Sequence, residues 1–259
     1  MSFNIPCNEN EKLKKVVELI DKDLEVRQYI DCANITAIDR LGYNDHGYTH
    51  SKIVANTALK MLRVLVKRGL VPNIVKDYKL TKEDAEAVVV LATVFHDIGM
   101  IVHRKGHVEH SVAVGFYLLN KILKDIYPEK ERAIIVSETL HAMTSHEVGV
   151  DPLTLEGGIV TIADALDMAG GRARIPFSKG KVDIHSVSAM AIEKVEIHEG
   201  EEGSKPLQIR IIMGNSAGIF QIDELLKKRI ETSGIKEYIK VVAEITGESE
   251  TRIVGKFEI

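Results

Sequence analysis

The sequence predicts a mainly α-helical protein, a helical bundle followed by a small α+β unit of order β-β-α-β-β. Three observations carry this reading. Up to about residue 170, apolar residues recur at helical spacing and nothing alternates with period two. A stretch rich in glycine and basic residues, GGRARIPFSKGK (170–181), then interrupts the pattern. Beyond it, Leu207, Ile209, Ile211 and Met213 alternate as a half-buried strand does, and so do Ile239, Val241, Ala243 and Ile245. The expected boundaries are 1–175 for the bundle and 187–259 for the α+β unit.

The elements follow in order. Residues 11–30 form an amphipathic pattern with Val16, Val17, Ile20 and Leu24 on one stripe, and 31–49, with Gly42, Asn44, Asp45 and Gly47, reads as a loop. A helix starting near Thr49 places His50 at the head of a core-facing stripe with Val54, Ala58, Leu62 and Leu65, and GLVPN (69–73) ends it. Thr81 is an N-cap with Asp84 in the capping-box position, and the helix over 82–97 becomes apolar all round, as a fully buried helix does. Helices are expected over 110–124, 129–146 and 154–170, with Pro128 marking a break. The helix of the α+β unit is GIFQIDELLKKRIETSG, with Leu225, Leu226 and Ile230 facing the sheet.

Composition narrows the function. The chain has 259 residues, and a hydrophobic fraction of 45% supports a substantial core. A net charge of −4 with mixed signs argues against a nucleic-acid partner and against an anionic membrane surface. The start lacks an apolar signal core, no run reaches the length of a membrane span, and the two cysteines form no framework. The expectation is a soluble protein of a reducing cytoplasm. The small sheet has too little core to stand alone, so it packs on the bundle or pairs as a homodimer.

His96-Asp97 closes the apolar run VVVLATVF, where a carboxylate is costly unless paired or metal-bound. Further polar residues stand on otherwise apolar helical faces: His50, His110, His141 and Asp164. One buried histidine is ordinary, but this set converging on one bundle points to a metal site built from facing helices. Imidazole with carboxylate suits Mn, Fe, Zn, Co, Ni or Mg, and the two oxygens of Asp97 suit a bridge between two ions.

The order His50, His96-Asp97, Asp164, with HDIG at 96–99 and IADALD at 162–167, resembles the HD-domain metal-dependent phosphohydrolase superfamily over roughly 45–170. The resemblance implies that these four residues bind one metal, with Asp97 central to catalysis. Similarity to the two-metal, HD-GYP-like branch implies a second ion held by His110 and His141. His146 is a further ligand candidate, although that branch has an adjacent histidine pair. Met100 stands where the family often has lysine, and the GYP triplet is absent, so cyclic dinucleotide hydrolysis is not implied.

The expected activity is attack of a metal-activated water on a small-molecule phosphomonoester, phosphodiester or nucleotide. A di-iron oxygenase and a non-catalytic nucleotide sensor are the competing classes. Arg172 and Arg174 fit either a substrate-phosphate clamp or a solvated linker. Asp167 reads as a surface carboxylate in preference to a support for a ligand histidine. His46, His103 and His107 read as surface loop residues in preference to lining the entrance or standing in for one of the expected ligands, and Glu138 either orients His141 or is itself on the surface.

Overall fold

The computed structural model describes residues 2–169, 188–246 and, for the backbone alone, 256–258. The bundle comprises α1 (Glu11–Lys22), α2 (Leu24–Ile35), α3 (Tyr48–Lys67), α4 (Asn73–Tyr78), α5 (Lys82–Phe95), α6 (His107–Leu123), α7 (Glu129–Thr144) and α8 (Leu155–Ala165). No helix among the described residues is long and apolar enough to cross a membrane.

The centre of the bundle is α5. Its start is held by the capping box read from the sequence: Thr81 Oγ1 accepts from the Asp84 N–H, and Asp84 Oδ2 accepts from the Thr81 N–H at 2.9 Å. The same buried carboxylate takes Lys12 at 2.8 Å and the Tyr127 hydroxyl at 3.0 Å on its other oxygen. The helix is buried from Ala87 to Phe95. Its 14 residues span about 21 Å at the usual helical rise, so pinning its start sets where His96 and Asp97 emerge at its far end.

Several boundaries differ from the sequence expectation. The stripe over 11–30 is two helices, because Asp23 adopts an extended backbone and its carboxylate caps α2 through the N–H groups of Glu25 and Val26. The segment expected as a loop over 31–49 is helical to Ile35 and continues as a π-turn, Thr36–Arg40. A short helix, α4, follows GLVPN. It is clamped to α8 by Glu156, which accepts from the Asn73 and Ile74 N–H groups at 3.1 and 3.0 Å. The sixth helix begins at His107, three residues earlier than expected. Gly106, in the left-handed region at φ +71°, turns the chain into it.

The C-terminal unit has the order anticipated: β1 (Ile192–Glu199), β2 (Leu207–Met213), a helical stretch ending in α9 (Lys227–Thr232), β3 (Ile239–Ile245) and β4 (Lys256–Glu258). The sheet order is β1-β2-β3-β4. Strands β1 and β2 are antiparallel, with Val195 opposite Ile211, and β3 and β4 are antiparallel. The connection through α9 makes β2 and β3 parallel, pairing Ile209 with Val241 and Ile211 with Ala243. Leu207, Ile209, Ile211 and Met213 are buried as their alternation predicts.

This sheet does not keep a separate core. Its buried residues and those of the bundle form one continuous apolar cluster. Arg68 at the end of α3 donates to the Gly200 carbonyl at 2.9 Å, and Gly158 on α8 lies against the Ser233 carbonyl, where a side chain would collide.

After α5 the chain makes one 3-10 turn, Ile98–Ile101, against the start of α6. Gly99 permits this contact. A Cβ there would strike the His107 carbonyl oxygen and the Ser111 amide, and the Gly99 N–H donates to Ser111 Oγ at 2.8 Å. Because the obstructing atoms are backbone, Gly99→Ala is expected to destabilise the protein by roughly 1–3 kcal/mol or more in denaturant unfolding. A loss under about 0.5 kcal/mol would mean that the turn and α6 are free to separate.

Candidate metal centre

The site forms where α3, α5, α6, α7 and α8 converge. His50 enters from the first turn of α3 and is buried. Its Nδ1–H donates to Asp167 Oδ2 at 2.6 Å, which leaves the Nε2 lone pair facing inward. His96 immediately follows α5, and its Nδ1–H donates to the Thr93 carbonyl at 2.8 Å with the same result. His146 follows the end of α7 and gives its Nδ1–H to the Met143 carbonyl. Three imidazoles are therefore held as Nε2 donors by acceptors behind them.

These nitrogens form two clusters with the carboxylates. In the first, His50 Nε2 lies 3.1 Å from His96 Nε2, 3.5 Å from Asp97 Oδ2 and 3.4 Å from Asp164 Oδ1. His96 Nε2 lies 3.2 Å from Asp97 Oδ2 and 3.5 Å from Asp164 Oδ1. In the second, His107 Nε2 and His146 Nε2 stand 3.3 Å apart, at 3.3 and 3.8 Å from Asp97 Oδ1. Asp97 thus presents one oxygen to each cluster.

The donor set fits divalent metal. Ligands about 2.0–2.1 Å from a tetrahedral ion stand about 3.3 Å from one another, which is the spacing seen here. Inward lone pairs on His50 and His96 also repel at 3.1 Å unless a cation lies between them or one ring takes a proton. Among the described residues, two groups bring their candidate ligand atoms within 4.8 Å of one another, His50–His96–Asp164 and Asp97–His107–His146, and each could hold an ion.

The electrostatics of the metal-free chain show the same demand for positive charge. Burial opposes ionisation of Asp97, but the His96 charge, then His46 and the close approach of His107 and His50, hold it well below the usual carboxylate range. Asp164 is likewise depressed against its burial by His50 and His96. Burial also opposes a charge on His96, yet the Asp97 charge and the bonds to Asp164 and Asp97 raise it to about 10. His146 moves the other way, to about 4, because burial and the neighbouring His96 charge both disfavour its protonation.

Of the six ligand residues expected from the sequence, the structure brings together four, His50, His96, Asp97 and Asp164, and it adds the further candidate His146. It does not bring His110 or His141 to either cluster. His110 Nδ1 is buried without a hydrogen-bond partner, and His141 Nε2 accepts from the Leu153 N–H at 3.2 Å. Their places are taken by His107 and His146. Since α6 starts at His107, that residue shares a face with His110 one turn later, and helical spacing alone could not choose between them. His146 lies beyond the end of α7, where helical spacing no longer applies.

The surface readings of His107 and Asp167 are corrected. His107 is buried, and Asp167 orients His50. The HVEH sequence held the signal for His107, but the helix start did not reveal which histidine faced inward. His46 also approaches the site, with its ring centroid 5.6 Å from that of His50 and its Nδ1 held at 2.7 Å by the Asn44 carbonyl. Glu138 is buried and engages Tyr78. Arg172 and Arg174 lie outside the described residues. The C-terminal unit reaches the second cluster through Arg229, whose guanidinium donates to the His146 carbonyl.

Residues 47–169, which include both clusters and Asp167, match the HD domain family, and the chain belongs to it. Members of this family bind divalent metals and are generally hydrolases. The chain is also 47% identical over 235 residues, 91% of its own length and 90% of the other's, to the protein of Methanocaldococcus jannaschii named "Uncharacterized protein MJ1020".

Two measurements probe this geometry. Asp167→Asn removes the charge behind His50 and is expected to weaken binding of the first ion about 10–100-fold in a metal titration, whereas unchanged affinity would remove Asp167 from the centre. The second concerns acid stability of the metal-stripped protein. As pH falls from about 6.5 to about 4, an unfolded His146 takes up a proton that the folded one refuses, so folding stability is lost across that window. Below it, protonation of Asp97 and Asp164 removes more. His146→Gln is expected to flatten the upper part of this decline in Tm against pH. Parallel profiles for the two proteins would contradict the assignment.

Proposed function

We propose that the chain is a metal-dependent phosphohydrolase acting on a small phosphomonoester, phosphodiester or nucleotide, with two ions at the clusters. The observation that carries this reading is the division of the Asp97 carboxylate, with Oδ2 toward His50 and His96 and Oδ1 toward His107 and His146. A shared carboxylate holds two cation sites side by side, the arrangement suited to gripping one phosphoryl group from two directions. Divalent ions there supply Lewis acidity and a water of lowered pKa.

The protein's own part is orientation. Asp167 and the carbonyls of Thr93 and Met143 fix three imidazoles, so little rearrangement accompanies substrate binding. Asp164 is the most exposed of the ligand candidates, at 17% of its side chain, so substrate approaches from its side of the site. Burial of the remaining ligands keeps bulk water away from the reacting group and strengthens electrostatic stabilisation. Family membership supports hydrolysis, and the mixed charge of the surface favours a small substrate over nucleic acid.

The test is metal analysis followed by a phosphate-release screen over nucleotides and phosphoesters. A chelator should abolish the activity found and added divalent metal should restore it. His96→Ala and Asp97→Ala are each expected to reduce turnover by at least about a hundredfold. Full activity in either variant would refute the proposal.

A further inference from the structure

One ligand candidate is held differently from the others. His50, His96 and His146 each have an acceptor behind Nδ1, but His107 has a donor. The Arg104 guanidinium places Nη1 at 2.6 Å from His107 Nδ1 and 3.0 Å from His107 Nε2. Arginine has no acceptor, so an Arg104 bond to Nδ1 requires the lone pair on that nitrogen and the proton on Nε2. In that tautomer the Nε2–H faces Asp97 Oδ1 at 3.3 Å, and the positive charge of Arg104 stands beside the second cluster.

An ion in the second cluster requires the opposite tautomer, with the lone pair on Nε2 and the proton on Nδ1. The Nδ1–H and the guanidinium are then two donors facing each other, so the contact breaks. Arg104 is exposed and lies in the basic loop His103-Arg104-Lys105, just before the start of α6. Released there, its planar pair of donors stands at the edge of the two-cation site and is matched to a phosphate oxygen pair. The start of α6 adds a positive end with no side-chain cap at the same place.

We infer that Arg104, lying against His107 at the edge of the second cluster, holds that ring in the tautomer unsuited to metal in the metal-free protein and, once an ion displaces it from His107, binds the phosphate of the substrate. This rests on the phosphohydrolase reading for the nature of the substrate, but not for the exchange between arginine and metal.

The experiment reads binding instead of turnover. Mn²⁺ is titrated into the metal-stripped full-length protein, and inorganic phosphate into the loaded protein, for the wild type, R104A and R104K. In R104A the second ion should bind at least about threefold more tightly, because no arginine competes, while the first is unchanged. Phosphate should bind at least about tenfold more weakly, as expected for loss of a charge-assisted contact. R104K retains charge without the planar fork and should fall between the two proteins for phosphate. An unchanged second-ion affinity or an unchanged phosphate affinity in R104A overturns the inference. A protein that shows both shifts yet hydrolyses no phosphoester retains this role for Arg104 and loses the hydrolase reading.

Discussion

The two oxygens of Asp97 are the constraint around which the rest of the structure is arranged. A carboxylate nearly removed from water is tolerated only when positive charge surrounds it. Here one oxygen faces His50 and His96, and the other faces His107 and His146. The metal-free chain meets the requirement by raising His96 toward protonation and bringing Arg104 against His107. Both devices answer the same electrostatic need that divalent ions would satisfy more completely.

Holding one carboxylate between two sets of ligands demands precision at both ends of α5. Asp84, itself buried, ties the start of that helix to Lys12, Thr81 and Tyr127. At the other end, Gly99 lets the turn after Asp97 lie directly on α6, so His107 reaches the carboxylate from the first position of its helix. The α+β unit takes part as well. Arg229 holds the carbonyl of His146, and the sheet shares the apolar core of the bundle. A change in the C-terminal unit therefore has a physical path to the second cluster but only a longer one to the first.

Much of this was legible in the chain. The capping box at Thr81, the all-round burial of α5 and the alternating strands are local patterns, governed by neighbours within a few residues. The first cluster was legible too, since His50, His96, Asp97 and Asp164 each fall on a recognisable helical face or motif. What misled was helix phase. Asp23 interrupts the first helix without interrupting its apolar stripe, and α6 starts a turn before its apolar pattern becomes plain.

The sequence by itself determined the class of fold, the order of its elements and the buried His96–Asp97 pair at the end of α5, because these follow from period, capping and the cost of an isolated buried charge. Tertiary structure alone decided which histidines complete the second cluster. His107 and His110 are equivalent to any rule of helical spacing, and His146 lies outside a helix altogether. Only the close approach at Gly99 and the turn after α7 separate them, and both depend on how distant backbone segments meet. Side-chain contacts seen only in the folded chain likewise show that Asp167 supports His50 and that Arg104 lies against His107.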